Sequence, residues 1–595
     1  MKRAYSLLLE GYTPIVVAPT SYGKTRASPE IRERACGDGI SCSLIHIAPL
    51  RSLVYSIYAK NFKPHGGAYQ MHDPTPGEDK SPYFLRDLVV TTIDSYLWNL
   101  YRVPVAEYSV IERRLTGGHY YPIYASIFTS INVFDEAHLY LGYGDSSANY
   151  AAVKASVSTL ARIGVPTIIE TATLDSNRLK EIHDLIAYWG GKPKILSIDC
   201  NDNAPGPLKS VDSETIVDNY WIDHHRIPWT TRLVDGWGAV LDDMINDSAK
   251  GVVLAVTNTV RSAVSLYNKL ASLANKTNAG IYLIHGRLSE RERRSIEERI
   301  MKLDKGIVIG TQVIEAGVDV NAIAVYTELA PIENLAQRIG RACRRDEALS
   351  RCKKYGGRVT IVTRGDTASI YPEDRIKRTL EVLRSYSTRG EDVIDWRLPC
   401  DLDGKVSYSK LLEEVAGSQI QSTVDGEDMV LFSILRKYLE KDAGPLGLLD
   451  LLSESGGLCS IYRKTVMAQV HTSHGPVTVS LEWILNHAAS LLDLSLSGAP
   501  KLILVDASGA PGSSERVIGE VEASNLWKTW NNMKKHWKKY GGIKCNRLNK
   551  ALEYDLRSIA QKLGNSRFTW RFKAKENAYI PGKGLLLGKE LPEAR

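Results

Sequence analysis

Short, unbroken apolar runs recur along the chain, each bounded by polar or turn-forming residues. The first series is PIVVAP (14–19), SLIHIAP (43–49), DLVVTT (87–92), INVFDEA (131–137) and TIIETAT (167–173). Strict alternation would mark strands wet on one side, whereas continuous runs mark strands covered on both faces of a parallel sheet. The pattern breaks at 201–214, NDNAPGPLKSVDSE, whose Pro, Gly, Asp and Ser content reads as a linker. A second series follows: GVVLAVTN (251–258), GIYLIHG (280–286), GIVIGTQV (306–313), AIAVYTE (322–328) and RVTIVTR (358–364). With helical stretches between the runs, the fold class is α/β, with two tandem domains built on parallel sheets. Beyond about residue 370 the texture changes. A helical stretch precedes VMAQVHTSHGPVTVSLEWIL (466–485), which reads as a hairpin turning at His474-Gly475, and the loop DASGAPGSSE (506–515) precedes a basic tail. No internal repeat is visible in this region, and 62–82 reads as an irregular insertion in the first domain. The expected division is 1–200, a linker at 201–227, 228–370, and a mixed C-terminal accessory domain at 371–595.

Length and composition narrow the class without naming a chemistry. A chain of 595 residues exceeds one hydrophobic core, and 44% apolar with 24% charged residues describes an ordinary globular protein. No apolar run is long enough for a transmembrane helix. The N-terminal MKRAYSLLLEGYTPIVVAPT resembles a signal peptide superficially, but Glu10 interrupts it and no small-residue cleavage site follows, so a cytoplasmic protein is expected. A formal charge of +7 mildly favours a polyanionic partner. The eight cysteines form no CxxC pair and are expected as reduced structural thiols. Scarce glutamine hints at a thermophilic source.

Chemistry enters at APTSYGKT (18–25), directly after the first strand. It fits [AG]-x-x-x-x-G-K-[ST]: Ala18, Thr20 and Ser21 lie in a loop whose backbone N–H groups cradle phosphates, and Gly23 allows close approach. Lys24 reaches the β/γ-phosphates of ATP, and the Thr25 hydroxyl ligates Mg²⁺. The pattern alone has appreciable false positives; the flanking strand and helix are the context it needs. Downstream, NVFDEAH places Asp135 and Glu136 at a strand end. By itself that pair is a polar strand terminus. After a phosphate loop it reads as a site where Asp135 holds Mg²⁺ through water and Glu136 deprotonates the attacking water. His138, on the same turn, is a candidate relay to the second domain.

That second domain offers APIENLAQRIGRACRR (330–345), with Gln337, Arg338, Arg341 and Arg344; on a helix, 337, 341 and 344 share one face. Guanidinium groups there suit charge developing on a phosphoryl group, whereas an exposed basic helix is the bland alternative. GTQVIEAGVDV (310–320), just upstream, is expected to set Gly317 and Asp319 against the nucleotide and Thr311 against a nucleic-acid phosphate.

The ordered motifs APTSYGKT, VVTTIDSYL, VFDEAH, TATL, VTNTVRSA, LIHGRL, TQVIEAGVDV and QRIGRACRR resemble a superfamily 2 helicase with a DEAH box, and more closely the CRISPR-associated helicase of type I interference. The resemblance covers roughly 10–365 and is most specific over 283–345. It implies RecA-like domains, ATP with Mg²⁺, and coupling through His138, Thr171 and Thr173. It also implies a single strand of DNA crossing both domains past Pro49, Arg51, Thr91, Thr92, Asn258, Thr259 and Thr311, with 3′→5′ movement. Three departures stand out. Tyr22 sits in the phosphate loop, where a small residue is usual, and so must point away from the phosphates. Cys343 replaces a glycine of the arginine motif, and the adenine-reading segment is abbreviated or absent.

Many members of that family carry an HD nuclease domain ahead of the helicase. Here His72-Asp73, His183-Asp184 and Asp223-His224-His225 do not assemble such a site. The expected partners are therefore a separate HD nuclease subunit and a CRISPR RNA-guided surveillance complex. Two alternatives stay open: an RNA or DNA-repair helicase of the superfamily, and an ATP-gated clamp that does not unwind. In the tail, Trp527, Trp530 and Trp537 accompany Lys534, Lys535, Lys538 and Lys539, and 528–575 holds 14 Lys/Arg against two acids. The expected arrangement is a tryptophan core with a basic face.

Overall fold

The computed structural model describes residues 1–71, 79–107, 111, 118–141, 147–200, 206–274, 280–365, 370–417, 426–440, 444–448, 467–506, 516–535, 545–563 and 568–587. Eight strands form the first sheet: β1 (Thr13–Val17), β2 (Leu44–Ala48), β3 (Ala68–Gln70), β4 (Leu88–Thr92), β5 (Ile131–Phe134), β6 (Thr167–Thr171), β7 (Pro193–Asp199) and β8 (Ser213–Val217). Their order is β3-β4-β2-β5-β6-β1-β7-β8, all parallel. Consecutive residues point to opposite faces: Ile15 and Ile45 join one buried cluster, Val16 and Leu44 the other. That two-sided burial is why these strands read as continuous apolar runs.

Six more strands make the second sheet: β9 (Trp229–Val234), β10 (Val252–Val256), β11 (Ile281–Ile284), β12 (Gly306–Gly310), β13 (Ala324–Glu328) and β14 (Gly357–Val362). They are again parallel, in the order β11-β12-β10-β13-β14-β9. Two RecA-like α/β layers and a third, mixed unit are thus the architecture.

The chain after β14 is shared among all three units. A short pair, β15 (Ile394–Asp395) and β16 (Val406–Ser407), and the helices Glu373–Ser387 and Tyr408–Ala416 pack Leu383, Trp396 and Leu411 into the second core. The helix Gly426–Glu440 then returns to the first unit, where Phe432, Leu435 and Leu439 join its core beside the helix Ser147–Arg162. Last comes a five-stranded sheet of β17 (Met467–Thr472), β18 (Gly475–Ser480), β19 (Lys501–Asp506), β20 (Val517–Glu522) and β21 (Phe568–Lys573). β17 and β18 form the hairpin read at His474-Gly475. Trp530 is buried in this unit's core and Trp527 packs partly against it, with Lys534 and Lys535 exposed; Trp537, Lys538 and Lys539 lie outside the described residues.

LIHGRL, at the end of β11, holds the third unit against the second. His285 Nε2 meets the Lys583 carbonyl at 3.0 Å, Leu585 N–H donates to the Arg287 carbonyl at 2.8 Å, and the Arg287 guanidinium lies 4.4 Å over the Trp483 ring.

The expectation of reduced thiols fails for six cysteines, which pair as Cys36–Cys42, Cys200–Cys400 and Cys343–Cys352. The pair Cys200–Cys400 is separated by 200 residues, so only the fold brings it together. Cys200 follows β7 of the first sheet, and Cys400 lies in a segment packed on the second core, so this bond ties the two α/β units covalently. Peptide mapping without reductant should recover a Cys200–Cys400 cross-link. Replacing both by Ser should lower unfolding stability by about 2–5 kcal/mol, visible as a lower thermal midpoint. Ready alkylation of Cys200 and Cys400 in the native protein would contradict the pairing.

Candidate functional site

The C-terminal ends of the two sheets face a shared cleft, with a cavity of about 470 Å³ between the phosphate loop and the arginine motif. On the first unit, residues 18–25 turn from β1 into the helix Ser28–Gly37. The loop needs left-handed backbone at Gly23 (φ 91°) and accepts it at Ser21 (φ 66°). The Ala18 N–H donates to the Thr171 carbonyl at 3.0 Å, and the buried Lys24 folds its Nζ back onto the carbonyls of Ala18 (2.8 Å) and Pro19 (3.2 Å). Tyr22 points away from the cavity, donating to Asp218 Oδ2 at 2.7 Å.

β5 delivers the acid pair. Asp135 is buried; its Oδ2 accepts from the Thr25 hydroxyl at 2.9 Å and lies 3.1 Å from His46 Nε2, while its Oδ1 accepts from the Glu136 N–H at 2.8 Å. Burial pushes the Asp135 carboxyl up, but hydrogen bonds from His46 and Thr25 and the charge of Lys24 outweigh it and hold it below the usual range. Glu136 takes a left-handed backbone (φ 49°), and its Oε2 has no hydrogen-bond partner. His138 Nδ1 stands 3.5 Å from that oxygen, and burial holds the ring's pKa down. Buried polar atoms are normally satisfied, so the orphaned Glu136 oxygen marks a place for a further group. The paired oxygens of Thr25 and Asp135 are the hard donors Mg²⁺ takes.

The second unit closes the cavity. Arg344 Nε donates to Ser21 Oγ at 2.5 Å, and its NH1 group lies 3.3 Å from Asp319 Oδ1. Desolvation, then the charge of Arg341, pushes the Arg344 guanidinium down to about 9. Arg341 lines the same cavity, and its guanidinium donates to the carbonyls of Val318 (3.4 Å) and Glu315. Asp319 pairs with Lys60 of the first unit at 2.7 Å and with Arg345 at 2.7 Å; with Arg344 these cations outweigh burial and hold its carboxyl well below the usual range. Gly317 and Gly340 sit at close approaches, since a Cβ would fall 2.3 Å from Ser52 Oγ at the first and 2.7 Å from Thr20 Oγ1 at the second. Six cations (Lys24, Arg26, Lys60, Arg341, Arg344 and Arg345) and two carboxylates line the cavity, which suits a small polyanion.

Other expected residues lie elsewhere. Gln337 does not line this cavity; its Nε2 donates to Thr173 Oγ1 at 3.1 Å, across the two units. Thr171 is buried on β6 with its hydroxyl unpartnered. Arg338 is fully buried and faces inward, bonding Glu315 (2.7 Å), Thr327 (2.9 Å), Asn258 (3.0 Å) and Tyr371 (2.9 Å). The residues read as nucleic-acid contacts gather at strand ends on one edge of both sheets, but Pro49, Thr91, Thr92, Asn258 and Thr311 are buried and Arg51 and Thr259 half-buried. Thr92 caps the helix Ile93–Leu100, and the Asn258 amide is taken up by Arg338 and the Leu329 carbonyl. His183 and Asp184 bond each other on the helix Ser176–Tyr188, and His224 and His225 lie on a different helix, Asn219–His225; His72 and Asp73 fall outside the described residues.

Sequence reasoning missed His46. Its signal was a histidine inside the apolar run SLIHIAP, where an uncompensated imidazole would be costly.

Residues 249–347 match the family model for the C-terminal part of the CRISPR-associated nuclease/helicase Cas3. A CRISPR-associated helicase Cas3 of Thermoproteus tenax is 24% identical over 412 residues, covering 67% of this chain and 64% of that protein. The chain is therefore similar, over part of its length, to CRISPR-associated Cas3 helicases. A CRISPR-associated nuclease/helicase Cas3 of Methanothermobacter thermautotrophicus is 24% identical over 324 residues, covering 51% of this chain and 36% of that relative. This chain thus spans less than two thirds of the length of both. The crystal structure of T. fusca Cas3 superposes with a TM-score of 0.55 at 17% identity, covering 79% of this chain and 58% of that one, which speaks to the fold.

Replacing His46 by Ala should cost about 1–3 kcal/mol, because the buried Asp135 carboxylate and Ser28 hydroxyl, 3.1 and 3.0 Å from its ring nitrogens, lose a partner. Denaturant titration read by circular dichroism checks this; an unchanged midpoint would show that His46 is dispensable to the acid pair.

Proposed function

We propose that the chain is an ATP-driven translocase and helicase on single-stranded DNA, acting in type I CRISPR interference. The observation that carries the reading is the cleft itself: a phosphate loop and acid pair on one α/β unit and arginines on the other line one cationic cavity of about 470 Å³. Lys24, now held by its own loop's carbonyls, has a ready exchange partner in a β/γ-phosphate. Glu136, which lines the cavity, is placed to take a proton from an attacking water. Arg341 and Arg344 bring charge from the second unit to where it develops in phosphoryl transfer.

Thr25 and Asp135 are the residues that would hold Mg²⁺, which supplies charge neutralisation on the phosphate oxygens. A crystal structure of T. fusca Cas3 with ATP supports the choice of nucleotide. Gln337, bonded to Thr173 across the units, supports a route by which occupancy of one unit reaches the other. The names of the relatives support a CRISPR setting, with a surveillance complex as partner.

ATP hydrolysis measured with and without single-stranded DNA or matched RNA tests the reading. Turnover should rise with DNA, and Lys24→Ala or Glu136→Gln should lower it by about 10²–10⁴-fold. Stimulation by RNA alone would move the substrate to RNA, and a nucleic-acid-insensitive rate without unwinding would favour the clamp.

A further inference from the structure

One buried cation at the edge of the cleft belongs to none of the motifs above. Arg397 lies in VIDWRLPC (393–400), is 1% exposed, and makes no ion pair among the described residues. Its guanidinium touches both α/β units at once: NH1 donates to Thr20 Oγ1 of the phosphate loop at 3.3 Å and to the Gly340 carbonyl at 3.5 Å, and NH2 donates to the Arg344 carbonyl at 3.5 Å. Its Nε has no partner. Leaving a guanidinium in so poor a setting is expensive, and replacing it with an apolar group would relieve that expense, so stability alone does not account for it.

The contacts point to a different use. Gly340 ends the helix Ile332–Ile339, and a cation at a helix C-terminus is favoured by the helix dipole and the free carbonyls there. Arg341 and Arg344 follow directly, so whatever fixes the carbonyls of 340 and 344 fixes the path of the turn bearing both. The segment around Arg397 is itself rigid. Asp395 Oδ1 accepts from the N–H groups of Arg397 (2.7 Å) and Leu398 (2.9 Å), and Trp396 Nε1 donates to Thr231 Oγ1 on β9 at 3.0 Å. Three residues later Cys400 is bonded to Cys200 of the first unit. The segment is therefore anchored to both units, with Arg397 between those anchors.

We propose that Arg397 is a positioning residue for ATP hydrolysis, holding the turn 340–344 in register with the phosphate loop so that Arg341 and Arg344 are aimed at the phosphates. The proposal rests on the ATPase reading above. Arg397 acts through the turn and does not line the nucleotide cavity.

The test uses the full chain with single-stranded DNA, and compares wild type with Arg397→Gln, Arg397→Lys, Arg344→Gln and the Arg344→Gln/Arg397→Gln double variant. ATP turnover is measured together with binding of a fluorescent ATP analogue. Arg397→Gln should lower kcat about tenfold or more while KM and analogue affinity stay within about threefold of wild type. Arg397→Lys should recover part of that loss, and in the Arg344→Gln background Arg397→Gln should lower kcat by less than about twofold, because both act through one turn. An active wild type with an equally active Arg397→Gln overturns the proposal alone. Full additivity with Arg344→Gln, or a loss of analogue affinity matching the loss of kcat/KM, also overturns it. If Arg397→Gln lacks the wild-type melting transition, Arg397→Lys decides: a reduced kcat at unchanged KM supports the proposal, and a wild-type kcat overturns it. A wild type no faster than Lys24→Ala overturns the ATPase reading and the proposal with it.

Discussion

The cleft depends on how closely residues 340–344 approach the phosphate loop. At Gly340 there is no room for a Cβ, and four residues later Arg344 reaches Ser21. This contact brings together two groups of charge that would otherwise repel. Like charges about 4 Å apart interact by roughly 4 kcal/mol at the effective dielectric of a protein surface. With six cations and two carboxylates around the cavity, closure without a polyanion relies on Asp319, which sits among Lys60, Arg344 and Arg345 and is held ionised by them. A bound polyphosphate would add to that compensation from inside the cavity. Closure and anion binding are therefore linked by the same charges, and linkage of this kind works in both directions.

The linkage has mechanical supports at several points. Gln337 meets Thr173, Lys60 meets Asp319, and the Cys200–Cys400 bond joins the two units just after β7. The helix Gly426–Glu440, returning to the first core after the chain has left the second, adds an apolar tie. Polar contacts across a cleft can be exchanged one at a time, whereas an apolar helix face or a disulfide cannot. Motion between the units is thus confined to paths that leave those two ties intact, and the cleft lies where the polar contacts are.

Much of this was legible in the sequence because the signals were local. Ten apolar runs mark ten strands, since burial on both faces leaves few polar residues to interrupt them. Within the two parallel sheets, the strands that went unread lack that signature: β3 is only three residues long, β8 is half-exposed and lies in a segment rich in turn formers, and β7 and β9 mix buried with half-buried positions. The phosphate loop and acid pair were legible because each is a contiguous motif whose spacing follows from one turn. His46, Arg397 and the Cys200–Cys400 bond were not, because their meaning comes from partners 89, 377 and 200 residues away. Arg338, three residues before Arg341, is turned inward by the helix and spends its guanidinium on Glu315, Thr327 and Asn258.

The residues expected to touch nucleic acid teach a further point about strand ends. Thr92 spends its hydroxyl on the Ser95 N–H at 3.2 Å, and Asn258 spends its amide within the second unit. Five of the seven are buried, so their side chains offer little to a strand lying across the sheets. What they fix is the backbone of the turns after β2, β4, β10 and β12, all on one edge. A small capping side chain at such a position sets where N–H groups and helix N-termini point, and those groups suit phosphates regardless of base. Hydroxyl and amide residues at these strand ends thus set the backbone path of the turns that bear them. A substitution at Thr92 or Asn258 would act through the turn it reshapes.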